Sequence, residues 1–353
     1  MNGTVKGFWR LSAVLAVLLL LPHCQATQPE PGAGALDTRA SFLAPSAEVC
    51  SSGGWCWKNP SAPTDTFQDA WAVDARTVLV VGPPDRVLHW RGDDWRYLPS
   101  GTMSALNSVW AASPTDAWAV GEAGTIVHWD GVRWTQVRTG GPTLHVVFGT
   151  GPQEVWAGGA EGTLLRWDGA RWRDVPSDTS QGIYALWASG PSDVWVSAFT
   201  GSQGSVRRWN GLGWSTLPAT DGLVMGLWGL GPGDVWAVGS QGLFVHWTGR
   251  GWQDVLATSR SGAMRRVRGF GAHPRRLWVV GPAVWRHEGD SLRVQQYDYA
   301  SADGLLSVAG FDDQPLLAVG TNGALVRYRR RRAVAGQNLQ LVSELPHRPT
   351  EAF

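Results

Sequence analysis

Asp116-Ala-Trp-Ala-Val-Gly-Glu-Ala-Gly-Thr-Ile-Val-His-Trp-Asp-Gly-Val-Arg-Trp-Thr-Gln-Val137 holds apolar runs of four to six residues separated by Gly and Asp-Gly turns. Within it Ile126 and His128 fall on one face of an extended chain, and Val127 and Trp129 on the other. That period of two, bounded by turn formers, predicts strands. The stretch recurs. Ser108 to Gly121 aligns with Val146 to Gly159, Ala185 to Ala198 and Gly226 to Gly239. Each copy continues into a Gly turn, an apolar pair, His or Arg before Trp, a Gly, and a last Trp.

The register extends further in both directions. Third-strand aromatics stand at Trp90, Trp129, Trp167, Trp209, Trp247, Trp285 and Tyr328, at spacings of 39, 38, 42, 38, 38 and 43 residues. Second-strand residues at the matching position are Leu79, Trp118, Trp156, Trp195, Trp236, Trp278 and Leu317. Four short strands every 39 residues predict a β-propeller blade. Gly and Pro punctuate the chain too often for a helical solenoid of similar period. The expected fold is therefore all-β: a seven-bladed β-propeller of four-stranded blades, running from about residue 49 to 345. Repeats six and seven are eroded, with Arg268 and Ala309 in place of the first Trp.

Ring closure is read from the N-terminal side. Stepping 38 residues back from the fourth-strand Trp95 lands on Trp57, in a segment lacking its own first three strands. It is expected to supply the outer strand of the last blade and so cover an unpaired edge. The rival for that slot is the C-terminal segment Asn338 to Leu345, ahead of a tail at residues 346–353.

Composition fits one side chain copied in one role. Of 353 residues, 23 are Trp against nine Phe and five Tyr. Charged residues make up 17%, below the roughly 25% of average soluble proteins. Lys6 and Arg10 precede the apolar run Leu11 to Leu21, the pattern of a secretory signal over residues 1–26. Two processing routes stay open. Cys24-Gln-Ala26 suits cleavage before Thr27, whereas Leu21-Pro-His-Cys24 resembles a lipobox in which Cys24 is lipidated, with His23 departing from the usual small residue. Residues 27–48, rich in Pro, Ala and Gly, read as a tether. Export, to the outer membrane as a lipoprotein or to the periplasm or exterior, suits a disulfide between Cys50 and Cys56. Contact with a membrane is expected only through that N-terminal lipid.

No catalytic or metal motif is present, and no catalytic residue, cofactor or metal is expected. The recurrent Trp reads as packing between wedge-shaped blades, with sugar-binding clefts as the alternative. Asp116, Glu154, Asp193 and Asp234 read as turn carboxylates bonding nearby backbone N–H groups. His89, His128 and His246, with Arg166, Arg208 and Arg327, read as parts of the blade scaffold. Function is expected where the repeat departs from itself. Repeat four carries a longer loop, Ala198 to Ser205, and repeat six a shortened one. Charge is uneven too: residues 260–332 hold 13 Arg and six acids, although the whole chain is only +1. Arg260, Arg265, Arg266, Arg268, Arg275 and Arg276, with Arg329, Arg330, Arg331 and Arg332, form a candidate patch for an anionic ligand.

The 116–137 stretch resembles the repeats of exported bacterial Trp-rich propeller proteins, and Gly54-Trp-Cys-Trp-Lys-Asn-Pro60 resembles their opening. The repeats are also similar to those of tectonin-type propeller lectins, which implies glycan binding at cell surfaces. His or Arg stands where tectonins usually carry a Tyr-Arg strand. The Asp-box of glycosidases is not matched. The expectation is a monomeric, non-enzymatic protein that recognises a surface glycan or anionic envelope polymer. The alternatives are a protein-binding scaffold or assembly factor and a polysaccharide hydrolase or lyase. Nothing in the sequence argues for nucleic acid.

Overall fold

Each expected run of alternating residues becomes a strand in the computed structural model, and the strands form seven four-stranded antiparallel sheets. The structure describes residues 55–57, 66–92, 95–255, 262–270, 276–288, 291–295, 304–312 and 314–328. Blade one comprises Asp69–Ala72, Val78–Val81, Arg86–Trp90 and Trp95–Pro99. Blade two comprises Leu106–Ser113, Asp116–Gly121, Ile126–Trp129 and Trp134–Arg138. Blades three, four and five open with Leu144–Gly151, Gly182–Gly190 and Val224–Gly231, and blade six with Arg266–Gly269. Blade seven holds Leu305–Phe311, Gln314–Gly320 and Leu325–Tyr328, and the strand Trp55–Trp57 runs antiparallel beside the last of these. There Trp55 lies opposite Tyr328 and Trp57 opposite Val326. The signal segment, the tether, Cys24, Cys50, Asn338 to Leu345 and the tail lie outside the described residues.

The first strand of each blade lines the axis, and inner strands touch in succession round the ring, blade seven against blade one. One backbone bond recurs at four seams: an N–H at or just before the start of an inner strand donates to the glycine carbonyl at or just past the end of the second strand of the preceding blade. Leu106 donates to Gly82, Met264 to Gly239 and Leu305 to Gly281. Phe67 donates to Gly320 at 3.0 Å, so the seam between blades seven and one is made like these three.

The core is divided among the seams. Seven apolar clusters form, each mixing residues of two adjacent blades; one joins Leu79, Val81 and Val87 to Leu106, Val109 and Trp129. Tryptophan dominates because a wedge-shaped gap needs one large rigid side chain. Burying one contributes about 4–6 kcal/mol of apolar transfer before entropy is set against it. Glycine is the complement. A Cβ on Gly149 would stand 2.6 Å from the Trp110 ring, and one on Gly229 2.7 Å from Trp187. The first Trp of one blade therefore lies on the bare backbone of the next.

Two departures from the repeat appear where expected, the one in repeat four in another form. The repeat-four insertion is no loop: Asp193–Thr200 and Gln203–Trp209 stay paired to their ends, Thr200 opposite Gln203. Gly201, at φ +61°, opens the two-residue turn between them, a conformation that glycine takes without strain. Blade six has instead a three-residue link, Gly281 to Ala283, between Arg276–Val280 and Val284–Glu288.

Candidate functional site

Between blades two and three and between four and five, the repeated residues are absorbed in packing. Trp118 of blade two lies 4.8 Å from Trp167 and 5.3 Å from Trp172 of blade three. Trp195 of blade four stands likewise 5.9 Å from Trp247 and 6.4 Å from Trp252. A carboxylate and a base flank each of these second-strand rings. Glu154 takes a two-pronged contact from Arg166 and the Trp156 indole N–H at 2.7 Å. Asp193 accepts from Trp195 at 3.0 Å and from Arg208 at 2.7 Å. Asp116 pairs with His128 at 2.8 Å, and Asp234 with His246 at 2.5 Å, each imidazole lying over its tryptophan.

This corrects the turn reading of the four acids, because cross-strand register sets Trp118 opposite His128 and so brings the acid two residues earlier within reach. The true turn residues follow the third Trp. Asp130 accepts from the N–H groups of Val132 and Arg133, Asp168 from Ala170 and Arg171, and Asn210 from Leu212 and Gly213. Those backbone donors, then Arg173, lower the Asp168 carboxyl to about 2. The scaffold reading of His128, His246, Arg166 and Arg208 agrees with these contacts. Outside Trp55–Trp57, every described tryptophan is buried or half-buried.

The axis holds what the repeat does not explain. Asp69, at the inner-strand position taken by Ser108 in blade two and Ser307 in blade seven, is wholly buried. Its carboxylate accepts from Ser307 Oγ at 2.6 Å, Ser108 Oγ at 2.8 Å and Arg268 Nη2 at 2.9 Å, with Arg266 Nη2 at 3.6 Å. Burial alone would raise its pKa; Arg266, Arg268 and the two hydroxyls outweigh that and lower it. Burial lowers Arg268 to about 10, against the opposing pull of Asp69, so it stays charged at neutral pH. Its guanidinium also lies 4.6 Å over the Trp71 ring.

Beside this network, where the inner strands turn outward, a hollow of about 280 Å³ opens between blades one, five, six and seven. Trp71, Trp228, Phe270 and Ala309 wall it, Arg268 lines it, and Leu230 and Phe311 stand at 40% and 43% exposure on it. It occurs where blades six and seven carry Arg268 and Ala309 instead of the first Trp. A smaller space lined by Arg266 shares Trp71, Trp228 and Arg268 with it. Elsewhere, Tyr184 stacks between His145 at 4.4 Å and Phe199 at 4.1 Å.

The arginine patch is redrawn by these positions. Arg266 and Arg268 turn into the axis toward Asp69, since alternate inner-strand residues face inward. They are therefore not surface charges. Arg265 is half-buried and reaches the Met225 sulfur at 3.7 Å, and Arg276 is half-buried at a strand start. Arg260, Arg275 and Arg329 to Arg332 lie outside the described residues. Cys56 sits in the strand Trp55–Trp57, while its expected partner Cys50 is not described. Asp69 itself was not a candidate from sequence.

No family model matches the chain, and no curated protein does. Solved structures do. YCF48 bound to a D1 peptide is similar with a TM-score of 0.61 at 18% identity, covering 77% of this chain and 94% of that one. The WD40 propeller domain of Doa1 is similar with a TM-score of 0.66 at 13% identity, over 78% of this chain and 96% of that one. YCF48 from Cyanidioschyzon merolae matches at 0.61 and 14% identity, over 77% of this chain and 98% of that one. At these identities the likeness is one of fold.

Proposed function

We propose that this chain is an exported, non-enzymatic propeller that binds another polypeptide at the axial hollow. The observation that carries the reading is the hollow itself, an apolar space at the axis with Leu230 and Phe311 exposed on it. Exposed apolar surface gathered beside a concave wall marks a binding site. The seam tryptophans, by contrast, spend their flat faces on one another. A similar propeller is named as bound to a peptide, which supports the same reading.

Selection of a displayed random peptide library against the purified protein tests it, with a Leu230→Glu/Phe311→Glu variant as counter-screen. Apolar peptides that bind the wild type and lose at least tenfold on the variant are expected. Equal recovery on both proteins would remove the hollow as the seat.

A second reading rests on one further feature. A groove of about 480 Å³ between blades two and three is lined by Arg138, Trp167, Arg171, Trp172 and Asp174. Half-buried rings beside charged groups suit a sugar. Glycan-array binding that resists salt and is lost in Trp167→Ala would favour it over the axial seat.

A further inference from the structure

The hollow has a chemical bias that the apolar wall does not account for. Two guanidiniums, Arg266 and Arg268, face a single carboxylate, Asp69. The three groups together carry one positive charge in excess inside a buried site. Only Nη2 of Arg268 is engaged, by Asp69; its Nε and Nη1 have no hydrogen bond among the described residues, and the side chain lines the hollow. A cation in so apolar a place is stabilised by an anion that shields it from water. The two hydroxyls that could have softened the charge, Ser108 and Ser307, are committed to Asp69.

Size narrows the ligand. About 280 Å³ lies just under the roughly 300–1,000 Å³ of small-molecule sites, room for one large side chain and a carboxylate. The walls are Trp71, Trp228 and Phe270, with Leu230 and Phe311 outermost. An anion without an apolar body would leave those walls wet. An apolar body without an anion would leave the excess positive charge of Arg266 and Arg268 over Asp69 unanswered.

We infer that the axial hollow captures the free C-terminus of a partner polypeptide ending in a large apolar residue, the terminal carboxylate meeting Arg268 and the last side chain filling the space between Trp71, Trp228 and Phe270. This rests on the peptide-binding reading and adds to it the part of the peptide that is read. The vacancy exists because two copies of the repeat lost their first Trp, so a substitution that refills it should close the site. Ala309→Phe does this, in the way Phe148 of blade three is set against the Ala188 cluster of the next blade.

The test is fluorescence anisotropy with labelled Gly-Ser-Gly-Ser-Leu-Phe and Gly-Ser-Gly-Ser-Leu-Leu, each as free acid and as C-terminal amide, against the full chain. N-acetyl-phenylalanine serves as an unlabelled competitor. The free acids are expected to bind at least about tenfold tighter than the amides, and Ala309→Phe should abolish binding of both while melting as the wild type does. Acid and amide binding equally, with Ala309→Phe still blocking both, would overturn the carboxylate and leave the peptide-binding reading standing. Binding of no peptide would overturn both. N-acetyl-phenylalanine displacing the peptide at the same concentration as the peptide itself would show a small-carboxylate site and overturn the polypeptide as occupant. The acid–amide comparison needs no variant, so it decides even if Ala309→Phe fails to fold.

Discussion

His89 shows how much a single replaced residue changes at a seam. It occupies the third-strand position that His128 holds in blade two, but its own blade offers Leu79 where blades two to six have Trp and provides no acid. The ring is 4% exposed, lies edge-on to Trp129 at 5.9 Å, and its Nδ1 has no partner among the described residues. Burial first, then Arg91 and Arg96, lowers its pKa from 6.5 to about 4. The unfolded chain therefore takes up this proton before the folded one does. Stability from this site is full above about pH 6.5 and is lost as pH falls toward 4, where the loss levels off. Between pH 7 and pH 5 the loss should be about 2 kcal/mol, and His89→Leu should abolish that part of the slope in urea titrations at the two pH values. An unaltered slope in the variant would mean that other groups set it. At this scale sequence is least informative. Asp69 looks ordinary in the chain, because the residues that give it meaning, Arg268 and Ser307, are 199 and 238 positions away.

At the level of strands and seams the sequence is far more legible. A short period keeps these partners local: the second Trp of one blade meets the third and fourth of the next within about one and a half repeats. The acid–base pairing was visible as the constant 12-residue offset of Asp116 from His128, Glu154 from Arg166 and Asp234 from His246. In sequence a turn role looks equally apt, because the same acids directly follow tight turns. The blade-four insertion had the right place but the wrong form, since strand pairing can continue through inserted residues wherever a glycine such as Gly201 permits the turn. Trp195 puts a number on a seam. It is wholly buried, donates to Asp193 and carries the Arg208 guanidinium 5.2 Å above its ring. Trp195→Ala should cost about 3–5 kcal/mol, read as a lower urea midpoint, and should also free Arg208 from its platform. A loss below about 1 kcal/mol would mean that blades four and five repack without it.

Over the whole ring, the seven-blade count followed from counting repeats, while the axial site did not, because only closure assembles it. The seam bond from Phe67 to Gly320 matches those of three other seams, so the strand Trp55–Trp57 adds to a ring whose inner strands already meet. If that strand latches blade seven, deleting residues 46–60 uncovers the edge of Leu325–Tyr328 and lowers the melting temperature by several degrees in calorimetry. An unchanged melting curve would deny it that role. Seven equal blades would present seven equal seats, and a partner landing on such a ring would have neither a fixed count nor a fixed bearing. Wear in two neighbouring copies, at Arg268 and Ala309, leaves the axial hollow open between blades one, five, six and seven. That asymmetry would set the valence of a partner seated there at one, and it would index the ring like a keyway, holding such a partner at one rotational angle relative to the long hairpin of blade four.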